Sequence, residues 1–174
     1  SGELAEKLGI TASQVRRDLG QLGVHGHNGF GYLISEAHRK IAEEMGLYSS
    51  QKVAIIGAGN IGHALTGHRM FQNRGFELIG VYDHNPELIG TTINGFKVED
   101  VESLKSLPVL ERPEIIVLAA SSESAEGLAR FAASLGIRAI LNFCYTDLEL
   151  ENILIENIHI DDSLMMLSYQ LNHL

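Results

Sequence analysis

The chain of 174 residues is 45% hydrophobic and carries 22 acidic against 13 basic side chains, a formal net charge of −9. That length and apolar content can bury a core, as one domain or as one domain plus a small module. The longest apolar stretches, such as EIIVLAA at 114–120, are strand-length, so we expect no membrane span, and no charged-then-apolar leader opens the sequence, so we expect a cytoplasmic protein.

The single cysteine, Cys144, excludes an internal disulfide and in its NFCY context reads as a small packing residue. Net acidity taken alone argues against nucleic acid. Residues 1–48, however, hold five basic and six acidic side chains and so net −1, which assigns the acidity to the rest of the chain.

The first elements are short helices. GELAEKLG (2–9) places Leu4, Ala5 and Leu8 on one face and stops at Gly9. ITASQVRRDLGQLG (10–23) follows, with Thr11 or Ser13 as N-cap and Val15, Leu19 and Leu22 as its apolar stripe. Two such helices around a tight turn make a helix-turn-helix. VHGHNGFGYLI (24–34) holds three glycines between apolar ends and predicts a β-hairpin, the wing of a winged helix. SEAHRKIAEEMGLYSS (35–50) supplies a helix and a polar linker, placing the boundary near 47–51 and a winged-helix domain at 1–48.

From Lys52 the pattern alternates. KVAIIG, FELIGVYD, EIIVLAAS and IRAILNF read as strands, while IGHALTGHRMFQN and SAEGLARFAASLG have helical spacing. GTTINGFKVEDVESLKSL adds a short extended piece and a helix. Parallel neighbours need crossovers, so the fold class is α/β, a Rossmann-type doubly wound parallel sheet over 51–160.

Gly57, Gly59 and Gly62 form G-x-G-x-x-G between a strand and a helix that opens with Asn60 and Ile61. The first glycine permits the tight turn, the second lets backbone approach a pyrophosphate, and the third allows close helix-to-strand packing. Asp83 ends the next strand, where a carboxylate reaches the adenosine ribose, with His84 beside it. No arginine at 84–86 awaits a 2′-phosphate, so NAD(H) is expected rather than NADP(H). Ala119, Ala120 and Ser121, then Asn142 and Phe143, follow the carboxyl ends of later strands and are candidate cleft walls, Phe143 being weighed also as a core residue.

No catalytic residue is assigned: no nucleophile or acid/base constellation stands out, and about thirty residues after IRAILNF are too few for a substrate domain. The eight histidines are scattered and His63 and His68 do not share a helical face, so no metal ligand is assigned. A nucleotide pocket attached to a DNA-reading module suggests a sensor. On the second helix Ser13, Gln14, Arg16 and Arg17 project away from the apolar stripe and suit base-edge and phosphate contacts. His27 and Tyr32 of the wing join them as DNA-side candidates. His25, His27 and Asn28 stand where a phosphate-binding Lys or Arg is expected, so electrostatic grip should be weak at neutral pH.

ELAEKLGITASQVRRDL, GFGY, IIGAGNIGHAL, YDHNPELIG, GIRAILNF and the terminal LSYQL, in that order, resemble the Rex family of redox-sensing transcriptional repressors along nearly the whole chain. The resemblance implies a cytoplasmic homodimer that binds an AT-rich palindromic operator when NAD+ is high and releases it when NADH rises. It implies a C-terminal helix exchanged between subunits, matching 161–174, with Leu164, Met165, Leu167 and Leu171 as its apolar face. It also implies a further winged-helix helix ahead of Ser1. This chain departs from the family pattern at the wing, at Ala119–Ser121 where the family has a Thr-Val-Pro-like loop, at His68 where the family tends to have Tyr, and at His159 where it tends to have Asp. An apolar nicotinamide pocket should favour the neutral ring of NADH over NAD+. The competing readings are a small NAD-dependent oxidoreductase and an NAD(H)-binding Rex-like paralogue that does not bind DNA.

Overall fold

The computed structural model describes residues 1–27, 30–48, 50–68, 71 and 75–173. The chain forms two compact units, Ser1–Ser50 and Gln51–Leu174.

In the first unit, α1 (Gly2–Leu8) ends at Gly9, whose left-handed backbone (φ 63°) turns its N–H back onto the Ala5 and Glu6 carbonyls. After Ile10, Thr11 caps α2 (Ala12–Gln21), its hydroxyl accepting the Gln14 N–H at 3.1 Å. Ala5, Val15, Leu19 and Val24 form the small core, with Leu22, Tyr32 and Ala37 packed partly against it. The expected α1 stripe is only partly buried: Ala5 is enclosed, whereas Leu4 and Leu8 stay exposed because α2 meets only the Ala5 side. The expected hairpin is reduced to one antiparallel bridge, His27 with Gly31, among the described residues; its tip, with Asn28, lies outside them. α3 (Ile34–Glu44) follows and binds its own charges, Arg39 pairing with Glu43 at 2.5 Å.

The second unit is a seven-stranded sheet in the order β3-β4-β2-β1-β5-β6-β7. β1 (Gln51–Ile56), β2 (Phe76–Asp83), β4 (Phe96–Asp100), β5 (Ile115–Leu118), β6 (Ala139–Asn142) and β7 (Leu154–Asn157) run parallel, and only β3 (Thr92–Ile93) is antiparallel, to β4. Central β1 is buried on both faces, which is why VAII is continuously apolar: Ala54 and Ile56 join the core on one face, Val53 and Ile55 the core on the other. α4 (Asn60–Thr66) crosses from β1 toward β2 and α5 (Ser122–Ser134) from β5 to β6. α5 meets the sheet through Ala125, Ala129 and Ala132, small side chains on one face that allow close approach.

Three expectations are corrected. The helix after β1 closes at Thr66, and residues 69, 70 and 72–74 of its expected remainder lie outside the described ones. The helix expected in VEDVESLKSL is a 3-10 turn, Val101–Ser106, ended at Leu107 because a residue before proline disfavours helical backbone. β7 was not expected: LIEN is a short edge strand in a polar stretch, defined by pairing with β6 rather than by its own pattern.

The final helix, α6 (Ile160–Leu171), leaves Leu164, Met165, Leu167 and Leu171 more than half exposed within this unit. Among the described residues no helix is long and apolar enough to cross a membrane.

Candidate functional site

The chain builds outward from β1 through β2 to β4 and then crosses back to β5 on the other side of β1, so the strand order reverses at β1 and its carboxyl end opens the crevice where doubly wound sheets bind ligands. The glycine-rich loop occupies that end. Gly57 has φ 108°, and a Cβ there would lie 2.4 Å from the Ala119 carbonyl oxygen. A Cβ on Gly62 would lie 1.8 Å from the Gly57 carbonyl oxygen. Both positions are therefore closed to any side chain, whereas Gly59 faces open space at the start of α4. The peptide N–H groups of that first turn, from Asn60 and Ile61 on, are unpaired within the helix and favour an anion there.

Asp83 ends β2 and is 6% exposed. Its two oxygens accept backbone N–H groups, Oδ2 from Ala58 at 2.6 Å and Oδ1 from Asn85 at 2.8 Å. The carboxylate thus ties the glycine-rich loop to the end of β2, and only its remaining lone pairs are left for a ligand hydroxyl. His84 is exposed, its Nδ1 3.7 Å from Asp83 Oδ1.

On the other side of β1 lies a cleft of about 510 Å³. Ile61 of α4 forms one wall, Ala120, Ser121 and Ser122 after β5 another, and Phe143, Cys144 and Tyr145 after β6 a third. Ile158, just before α6, and Ile160, Asp161 and Leu164 at its start form the remaining wall, and the cleft stays open to solvent. The structure thus gathers Ile61, Ala120, Ser121 and Phe143 around one cleft. Ala119 supports the loop beneath it, its carbonyl against Gly57, and does not line the cleft.

Asn142 does not line it either. Fully buried, it spends its amide internally: Nδ2 donates to the Thr146 carbonyl and to Asn157 Oδ1, both at 2.8 Å, and Oδ1 accepts the Cys144 N–H at 2.9 Å. Asn157 in turn holds Leu148 by its N–H and carbonyl. This amide pair fixes the loop that presents Phe143, Cys144 and Tyr145.

Sequence reasoning missed the contacts that seat α6. The Tyr145 hydroxyl donates to Asp161 Oδ2 at 3.2 Å, and His159 Nε2 donates to Asp147 Oδ1 at 2.7 Å. The bond to Asp161, then its charge, push the Tyr145 phenol above its ordinary value. Burial pushes the Cys144 thiol up. Cys144 and Tyr145 were legible in one respect: they follow the carboxyl end of a sheet strand, as Phe143 does.

In the first unit, Ser13, Arg16 and Arg17 are exposed on α2, and Gln14 is half-buried. Arg16 leans on the Ser13 hydroxyl at 3.1 Å and Gln14 donates to Asp18 at 2.7 Å. Neither Arg16 nor Arg17 forms an ion pair among the described residues, so both guanidinium charges are available. His27 is exposed beside them in sequence order, while Tyr32 packs partly into the core.

Residues 48–146 match the CoA binding domain family. The redox-sensing transcriptional repressor Rex of Clostridium novyi (strain NT) is 38% identical over 173 residues, covering 99% of this chain and 82% of that protein. A crystal structure of the Rex-family repressor RSP in complex with β-NAD+ and operator DNA matches 98% of this chain and 79% of its own, with 38% identity and a TM-score of 0.89. The same repressor in complex with β-NADH matches 98% of this chain and 80% of its own, with 37% identity and a TM-score of 0.82. On this identity along its whole length, the chain belongs to the Rex family of redox-sensing transcriptional repressors.

Proposed function

We propose that this protein is a cytoplasmic, homodimeric repressor that binds operator DNA through α2 and releases it when NADH replaces NAD+, without acting as an enzyme. The observation that carries the reading is the match over 98% of the chain to a repressor solved with β-NAD+ and operator DNA, and with β-NADH. Gly57, Gly59, Asn60, Ile61 and Gly62 take the pyrophosphate, Asp83 and His84 the adenosine ribose. The cleft between Ile61, Ala120, Ser121 and Phe143 takes the nicotinamide. Ser13, Gln14, Arg16, Arg17 and His27 face DNA, with Tyr32 bracing the wing.

The exposed apolar face of α6 supports its exchange with a second copy, since Leu164, Met165 and Leu171 stay more than half exposed among the described residues of their own unit. The working divisions are then a DNA module at 1–48, a nucleotide domain at 51–160 and a dimerisation helix at 161–174. A ligand can switch such a dimer only through unequal affinity for its two arrangements.

The test is fluorescence anisotropy of a labelled AT-rich palindromic duplex, titrated with protein in NAD+ and then in NADH. Binding in NAD+ that is lost in NADH is the expected result. No DNA binding in any condition, with NADH still bound by the protein, would overturn it in favour of the nucleotide-binding paralogue.

A further inference from the structure

The walls of the nicotinamide cleft are apolar or neutral except at one point. Among the described residues that line it, Asp161 alone carries a charge, and its carboxylate is held at the cleft by the Tyr145 hydroxyl. The turn that bears it is fixed a second time, by His159 on Asp147. Asp161 stands in the first turn of α6, where a carboxylate also suits the helix N-terminus, and Asp162 beside it does not line the cleft.

NAD+ and NADH differ at the nicotinamide by one positive charge. Walls such as Ile61, Phe143, Ile160 and Leu164 penalise that charge, because moving a cation out of water is costly unless it is paired. A carboxylate in the same wall opposes the penalty by attracting the oxidised ring and leaving the neutral reduced ring unaffected. Resting on the nucleotide-binding reading above, we infer that Asp161, oriented by Tyr145, is a specificity-determining residue that raises the affinity for NAD+ relative to NADH and so sets the ratio of the two at which the protein switches.

Isothermal titration of the full chain with NAD+ and separately with NADH tests this. Asp161→Asn should weaken NAD+ about fivefold, the effect of a unit charge several ångströms away in a half-solvated cleft, and leave NADH within about twofold. Asp161→Ser, which preserves a good residue for a helix start, should do the same. Tyr145→Phe retains the charge and should keep most of the NAD+ affinity that Asp161→Asn loses. The Asp161→Asn effect should shrink as salt is raised, which a merely structural role would not produce. Equal weakening of both nucleotides, or an unchanged ratio of their dissociation constants, overturns the inference while leaving nucleotide binding in place. A wild-type protein that binds neither nucleotide overturns both it and the reading on which it rests.

Discussion

Asp83 fastens the glycine-rich loop to the end of β2, its Oδ2 accepting the Ala58 N–H at 2.6 Å across 25 residues of sequence. The other oxygen holds Asn85, so the carboxylate is a structural clamp before it is a ligand contact. Asp83→Ala leaves both N–H groups without their acceptor, at a cost of about 1–3 kcal/mol for a buried donor. Its expected signature is a lowered urea midpoint together with loss of NADH binding by at least about tenfold. Loss of binding with an unchanged midpoint would show that Asp83 serves the ribose alone.

Asn142 and Asn157 stitch β6, β7 and the loop between them with a closed amide network, and no buried side-chain polar atom among the described residues lacks a partner. Asn142→Ala strands the Cys144 N–H and the Thr146 carbonyl, leaving Asn157 Oδ1 only the Leu148 N–H, and should destabilise the second unit by about 2–4 kcal/mol in urea unfolding. Asn142→Asp retains the acceptor for Cys144 but loses both donations and buries a charge, so it should be at least as damaging. A change below about 0.5 kcal/mol in either variant would mean the loop is held by its apolar contacts instead.

Legibility followed the range of the interactions. β1 and the glycine-rich loop could be read directly, because the continuous apolar run and the steric demands at Gly57 and Gly62 are set within a few residues of each position. β7 could not: Leu154 and Ile155 alternate with nothing distinctive, and the strand exists through its ladder with β6. Asn142 was placed correctly at a strand end, yet sequence offers no sign of whether an amide there faces the cleft or the Asn157 side chain. The Tyr145–Asp161 and Asp147–His159 contacts escaped for the same reason, each joining the loop after β6 to the start of α6 across β7. The cap of α2, by contrast, was narrowed to Thr11 or Ser13 from sequence, because a cap and its partner, here Thr11 and Gln14, are only three residues apart.

Arg16 and Arg17 lie exposed on α2 with no carboxylate partner among the described residues. Arg16→Ala with Arg17→Ala should weaken operator binding by about tenfold or more at moderate salt and lower the slope of log affinity against log salt by about 0.9 for each phosphate contact removed. NADH binding should be unchanged. If the slope stays the same while affinity falls, the arginines read bases rather than phosphates.

Cys144 lies on the cleft wall but is only 3% exposed, and its thiol contacts the Leu118 carbonyl at 3.8 Å. Burial raises its pKa, opposed in part by a hydrogen bond with the Ala120 backbone. The thiolate is the reactive form, so iodoacetamide should label Cys144 far more slowly in the folded protein at pH 8 than in urea. The linkage has a definite sign. A folded-state pKa above the unfolded one means the folded protein holds the proton more firmly. Its contribution to stability is therefore complete below the unfolded thiol value and is lost as pH rises through the folded value. Cys144→Ala removes that contribution together with a small packing volume. The difference in urea midpoint between wild type and Cys144→Ala should accordingly narrow as pH is raised from about 7.5 to about 10. Tyr82 and Tyr145, whose phenols are also raised, are present in both proteins and cancel in that difference. A gap that widens on the alkaline side would place the thiolate, rather than the thiol, as the form the folded protein favours, and would mark Cys144 as a reactive residue of the cleft.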